Sequence, residues 1–237
     1  MGKKKFFLII DTETTQDGKV ADFGAIVCDK QGNVHHEIGL LVKEFYYDKV
    51  NHPLFFQGDF LGGAKNLPRR YAAYDAMIEN GTRMAASVPA INRWLAKVAA
   101  KYNPVLTAYN LAFDADKLDK SGIISKELFD KQFCLWYAAA EKWGATKAYR
   151  EFVLRNHFFG NRTKNGHIGY QTKADAMAKF LLGDSLPDEP HTALEDARDY
   201  ELPILSRLLA TSNPLQYMNP KPYNWRDYAL KDNFRAI

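Results

Sequence analysis

The chain has 237 residues, 46% hydrophobic and 25% charged, which gives enough apolar material for a full core and excludes a disordered polymer. Its 32 basic and 28 acidic residues leave a formal net charge of +4, a balance that permits a nucleic-acid partner without demanding one. Two cysteines exclude a disulfide scaffold, and no apolar run is long enough to span a membrane.

Lys3, Lys4 and Lys5 ahead of an apolar stretch imitate a signal peptide, but the stretch is short and Asp11 ends it, so the expectation is a cytoplasmic protein with Cys28 and Cys134 reduced. That stretch, residues 6–10, is a continuous apolar run, β-branched at its end, and reads as a strand buried on both faces. Asp11 and Glu13 stand at its exit. Residues two apart on a strand share a face, so both carboxylates aim at one point, where they repel unless a cation joins them. Hard oxygen ligands suit magnesium or manganese better than zinc. The plainer alternative is two acids that merely end a strand.

A turn around Asp17-Gly18 leads to a strand over residues 20–28, and the turn at Gly32-Asn33 leads to another over 34–42. Such short loops predict an antiparallel meander. His35 and His36 are expected to face opposite ways. Residues 43–86 are rich in aromatics (Phe45, Tyr46, Tyr47, Phe55, Phe56, Phe60) and carry Lys65, Arg69 and Arg70; they read as an inserted lid over the sheet edge, its rings packed inward and a few cations free to meet phosphates.

Ser87 is placed to cap a helix in which Ile91, Leu95, Val98 and Tyr102 share one side, stopped by Asn103-Pro104. A short strand over residues 104–109 then reaches Asn110, placed to cap a helix that carries Phe113, Asp114 and Leu118. A strand is expected over 131–135 and helical spacing over 136–154. The basic loop 161–167 and a helix over 172–182 follow. Thr192 and Glu195 form the pattern of a capping box, which puts His191 before the cap and Asp196 at the fourth helical position. Those two positions meet across a helix entry. Pro203 is expected to kink or divide this last helix. Residues 211–237, with Pro214, Pro220, Pro222 and several aromatics, read as an irregular arm folded back on a body of residues 1–210.

Taken together, Asp11-x-Glu13 after a buried strand, the segment from Asn110 to Asp114, and His191 five residues ahead of Asp196 resemble the DEDDh group of 3′-to-5′ exonucleases, a family that spans ribonucleases and polymerase proofreading subunits. The resemblance implies an α/β fold: a ribonuclease-H-like mixed five-stranded sheet, its second strand antiparallel, flanked by helices in a single domain. It implies that Asp11, Glu13, Asp114 and Asp196 bind two Mg²⁺ or Mn²⁺ ions, with Asp11 between them, and that His191 takes the proton from the attacking water. It further implies that the segment from Thr12 to Thr14 holds the terminal nucleotide. Phe113 either presses its ring on a base or is an ordinary core residue, and Asn110 is a cap sooner than a catalytic group. Asp22-Phe23-Gly24 departs from the family, where a longer acid usually stands in the place of Asp22.

The function expected on this basis is stepwise hydrolysis of single-stranded or frayed DNA from its 3′ end, releasing nucleoside monophosphates. Two alternatives stand beside it: trimming of RNA ends, and a nucleic-acid-binding protein without catalysis. The partner is a single-stranded 3′ end and not a membrane, and a polymerase or a second copy of the chain is left open.

Overall fold

A computed structural model describes residues 5–56, 63–162 and 166–230. Phe60, residues 163–165 of the basic loop and Phe234 of the tail lie outside the described residues.

The sheet is built from β1 (Phe6–Thr14), β2 (Val20–Asp29), β3 (Val34–Val42), β4 (Met84–Ala86), β5 (Val105–Ala108) and β6 (Gln132–Cys134), in the order β4-β3-β2-β1-β5-β6. β2 is antiparallel to β1 and to β3, whereas β5 runs parallel to β1, β6 to β5 and β4 to β3. Five of these strands give the expected mixed sheet, its second strand antiparallel. The sixth corrects the sequence expectation: the end of the inserted segment returns as an edge strand and occupies backbone groups of β3 that would otherwise face solvent.

The alternation of β1 divides the core. Phe7 and Ile9 face α7 (Ala174–Leu182), α8 (Ala193–Asp196) and α9 (Leu202–Leu209), meeting Met177, Leu194 and Leu205. Leu8 and Ile10 face α3 (Val88–Tyr102) and α4 (Leu111–Lys120), meeting Ile91, Leu95 and Leu118. Each such side chain contributes about 1.5–3 kcal/mol by leaving water. The segment after β1 is thereby held from both faces.

The inserted segment contains α1 (Lys43–Tyr46) and α2 (Leu67–Glu79), and Tyr46, Leu54 and Tyr74 form a small core of its own with Leu41. Among its described rings, Tyr46 and Tyr74 are buried and Phe45 packs on the main core, whereas Tyr47 is exposed. The stretch expected as helical over 136–154 forms α5 (Leu135–Ala139), a π turn (Ala140–Gly144) and α6 (Lys147–Arg155).

Periodicity did not reveal a second sheet. β7 (Phe159–Arg162) pairs with β8 (Ile168–Tyr170), and β9 (Ala229–Leu230) from the tail pairs with β8. Tyr223 of the tail stacks on Tyr228 and packs against Trp136, so these tail residues lie against the body. Nor do His35 and His36 diverge as expected. The β2–β3 register shifts between Val27 and Cys28, and His36 meets Trp94 while His35 meets Phe6 and Tyr102, both histidines touching α3. Both cysteines are free, and among the described residues no helix is long and apolar enough to cross a membrane.

Candidate active site

The exit of β1 carries Asp11 and Glu13 on the side that faces α8. His191, Glu13 and Asp196 offer ligand atoms that all lie within 4.8 Å of one another. His191 Nδ1 is 3.7 Å from Glu13 Oε1, and Arg70 Nη2 of α2 is 3.7 Å from Glu13 Oε2. Asp196 is the fourth residue of α8 and His191 the residue before its cap, the pairing that a helix entry brings together. The backbone of His191 sits at φ 56°, a left-handed conformation that is uncommon outside glycine, and Tyr74 donates to its carbonyl at 3.4 Å. The inserted lid thus holds a site residue by its backbone.

Asp11 and Asp114 are not part of that three-residue group. They adjoin it: Thr12 Oγ1 donates to Asp114 Oδ1 at 2.8 Å, which fixes α4 against the strand that carries Asp11. Asp11 Oδ2 and Asp196 Oδ1 are buried without a hydrogen-bond partner. Burial, followed by the charges of Glu201, Asp114, Asp196 and Glu13, pushes the Asp11 carboxyl well above the ordinary range. Burial likewise raises Asp114 to about 7 and, together with Glu189, raises Asp196 to about 9. The Glu13 carboxylate raises His191.

The remaining sequence candidates are placed as follows. Thr12 and Thr14 are buried, the Thr12 hydroxyl committed to Asp114 and the Thr14 carbonyl accepting from Phe55 N–H at 2.8 Å. Phe113 is 44% exposed with Lys117 Nζ 4.9 Å from its ring centroid, which removes the core-residue alternative. Asn110 precedes α4 at φ 80° and makes no side-chain cap, so that expectation is corrected: its left-handed backbone, not its amide, turns the chain into the helix.

The capping box is also absent. Thr192 is the N-cap residue of α8 but makes no side-chain cap, and Glu195 turns instead to Arg83, with Nη2–Oε2 at 2.5 Å. Asp22 takes over the capping, its Oδ2 accepting Ala193 N–H at 2.9 Å while the same carboxylate binds Arg83 Nε at 3.0 Å. Gly24 permits this approach, because a Cβ there would fall 2.3 Å from the Ala193 carbonyl carbon. The departure at Asp22 is therefore part of how α8 is seated.

Two acids near the site were not singled out from the sequence, Glu189 and Glu201. Burial raises Glu189 to about 7 and Glu201 well above its usual range. Between α8 and α9 lies a π turn (Ala197–Glu201), the form taken by the irregularity expected at Pro203. In an α-helix Glu201 would point away from the face of Asp196, so sequence spacing alone discards it.

Among solved structures, the chain is similar to product-bound exonuclease I, at 14% identity and a TM-score of 0.49 over 92% of this chain and 46% of that one. It is similar also to exonuclease I in complex with the inhibitor BCBP, at 13% identity and a TM-score of 0.48 over 92% of this chain and 43% of that one. The chain therefore spans less than half the length of these structures. No family model and no curated protein sequence matches the chain.

Proposed function

We propose that the protein is a divalent-metal-dependent nuclease of the DEDDh type, removing nucleotides from the 3′ end of single-stranded or frayed DNA and releasing nucleoside monophosphates. The observation that supports this most directly is the meeting of Glu13, His191 and Asp196 within 4.8 Å, beside buried oxygens of Asp11 and Asp196 that lack a hydrogen-bond partner. A buried carboxylate oxygen without a donor is costly, and a cation relieves that cost.

Asp11, Glu13, Asp114 and Asp196 would hold the ions, and their all-oxygen donor set fits Mg²⁺ or Mn²⁺. When bound, a pair of such ions neutralises charge on the phosphate and makes water nucleophilic at neutral pH. The chain's own groups do the rest. Glu13 faces His191 Nδ1 and orients the ring, so Nε2 is the atom assigned to accept the water's proton. Thr12 fixes the Asp114 carboxylate through its hydroxyl, and the backbone from Thr12 to Thr14 is assigned to the terminal nucleotide. The exposed Phe113 ring offers a flat face to a base.

The test is a 5′-labelled single strand offered as DNA and as RNA, and a DNA duplex with a mismatched 3′ end, each with Mg²⁺ or Mn²⁺. A ladder shortening from the 3′ end, nucleoside monophosphate products and faster loss of DNA than RNA are expected. Tight binding without shortening, or cutting of a circular single strand, contradicts the proposal.

A further inference from the structure

Glu201 has no role in the site as assigned, yet it is 2% exposed and its Oε2 has no hydrogen-bond partner. Its other oxygen, Oε1, accepts the backbone N–H of Tyr109 at 3.0 Å. That bond locates the carboxylate. β5 runs parallel to β1 with Thr107 opposite Ile9 and ends at Ala108, so Tyr109 leaves the strand end beside the part of β1 that carries Asp11. Adjacent strands lie about 4.8 Å apart. Asp114 reaches the same level from the other side through its bond to Thr12, the residue after Asp11.

The π turn supplies the remaining geometry. Its wider winding brings Glu201 back toward the side of Asp196, five residues earlier. Glu13, Asp196 and His191 offer ligand atoms within 4.8 Å of one another, and of the neighbouring acids Glu201 bears most strongly on Asp11. Asp11 Oδ2, Asp196 Oδ1 and Glu201 Oε2 are all buried without a hydrogen-bond partner.

We propose that Glu201 is a further ligand of the metal site, standing beside Asp11 to hold a hard divalent cation. This rests on the metal-dependent reading of the site and goes beyond it by assigning a fifth carboxylate.

The experiment is calorimetric titration of Mn²⁺ into the full chain, comparing the unaltered protein with Glu201→Gln and Glu201→Ala, with melting curves recorded in EDTA. Gln keeps an oxygen to accept Tyr109 N–H, so Glu201→Gln should melt within a few degrees of the unaltered protein while losing one Mn²⁺ site or weakening it by tenfold or more. Glu201→Ala should lose the same site and also melt earlier. Unchanged Mn²⁺ binding in Glu201→Gln, in a protein that itself binds Mn²⁺ and trims DNA, overturns the role of Glu201 alone. A Glu201→Gln chain that melts far below the unaltered protein in EDTA also overturns it, because the carboxylate would then be structural. Failure of the unaltered protein to bind Mn²⁺ at all overturns the metal reading of the whole site.

Discussion

Asp22 Oδ2 accepts the backbone N–H of Ala193 at 2.9 Å, so a carboxylate from the middle of the sheet, not a residue of the helix itself, seats the helix that carries Asp196. The same carboxylate holds Arg83, whose buried guanidinium continues to Glu195 one residue before Asp196. Asp22→Ala leaves that guanidinium to Glu195 and the Thr82 carbonyl and removes the side chain that accepts Ala193 N–H. Removing one partner of a buried pair costs about 3–5 kcal/mol, and that loss is expected in urea unfolding. Gly24→Ala should destabilise by the same route, since its new methyl would displace α8.

The pH dependence of the metal-free protein follows from the raised carboxyls. Burial places Asp114 at about 7 and Asp196 at about 9, both above the unfolded value near 4. Over that interval the folded chain holds more protons than the unfolded one, so these groups cost nothing below about pH 4, cost more as pH rises, and reach their full cost once pH has passed the two folded values. In EDTA the melting temperature should therefore fall from about pH 4 to about pH 9, more steeply below about pH 7 where both groups contribute, and level off above about pH 9. Saturating Mn²⁺ should flatten the decline, because the ion takes the place of the protons.

His191→Ala removes the imidazole assigned to the proton. A positioned base is worth about 10²–10⁴-fold, and the single-turnover rate should fall by that factor while oligonucleotide affinity stays close to that of the unaltered protein. A rate within tenfold of the unaltered protein would assign the proton elsewhere.

Phe113 is exposed, so Phe113→Ala should change stability by no more than about 0.5 kcal/mol. Loss of base stacking should nevertheless raise KM by about tenfold for single-stranded substrate. Steady-state kinetics beside a melting curve separates the two effects.

The strands that carry the site were legible because their pattern is strong: the apolar run ending in Asp11 and the meander to Val42 lie where the structure has β1 to β3. The meeting of His191 and Asp196 was legible for a local reason, the fixed geometry of a helix entry. Helix capping was not legible. Thr192 and Ser87 occupy the cap positions, but distant acids do the work: Asp22 takes Ala193 N–H, and Glu44 takes Val88 N–H at 3.0 Å. A local motif cannot register such long-range competition. The sheet of β7, β8 and β9 escaped because strands of two to four residues carry no periodicity. Glu201 escaped because a π turn changes which residues share a face.

Asp11 shares β1 with Glu13, and against that strand Asp114 and Asp196 are brought by α4 and α8. The most direct measurement is the rate at which a 5′-labelled single-stranded DNA shortens from its 3′ end, with Mn²⁺ and with EDTA, for the unaltered protein and for Asp11→Ala. The predicted result is a 3′ ladder with Mn²⁺, none in EDTA, and none for Asp11→Ala even where circular dichroism finds the fold retained. Shortening that persists in EDTA, or at full rate in Asp11→Ala, would contradict it.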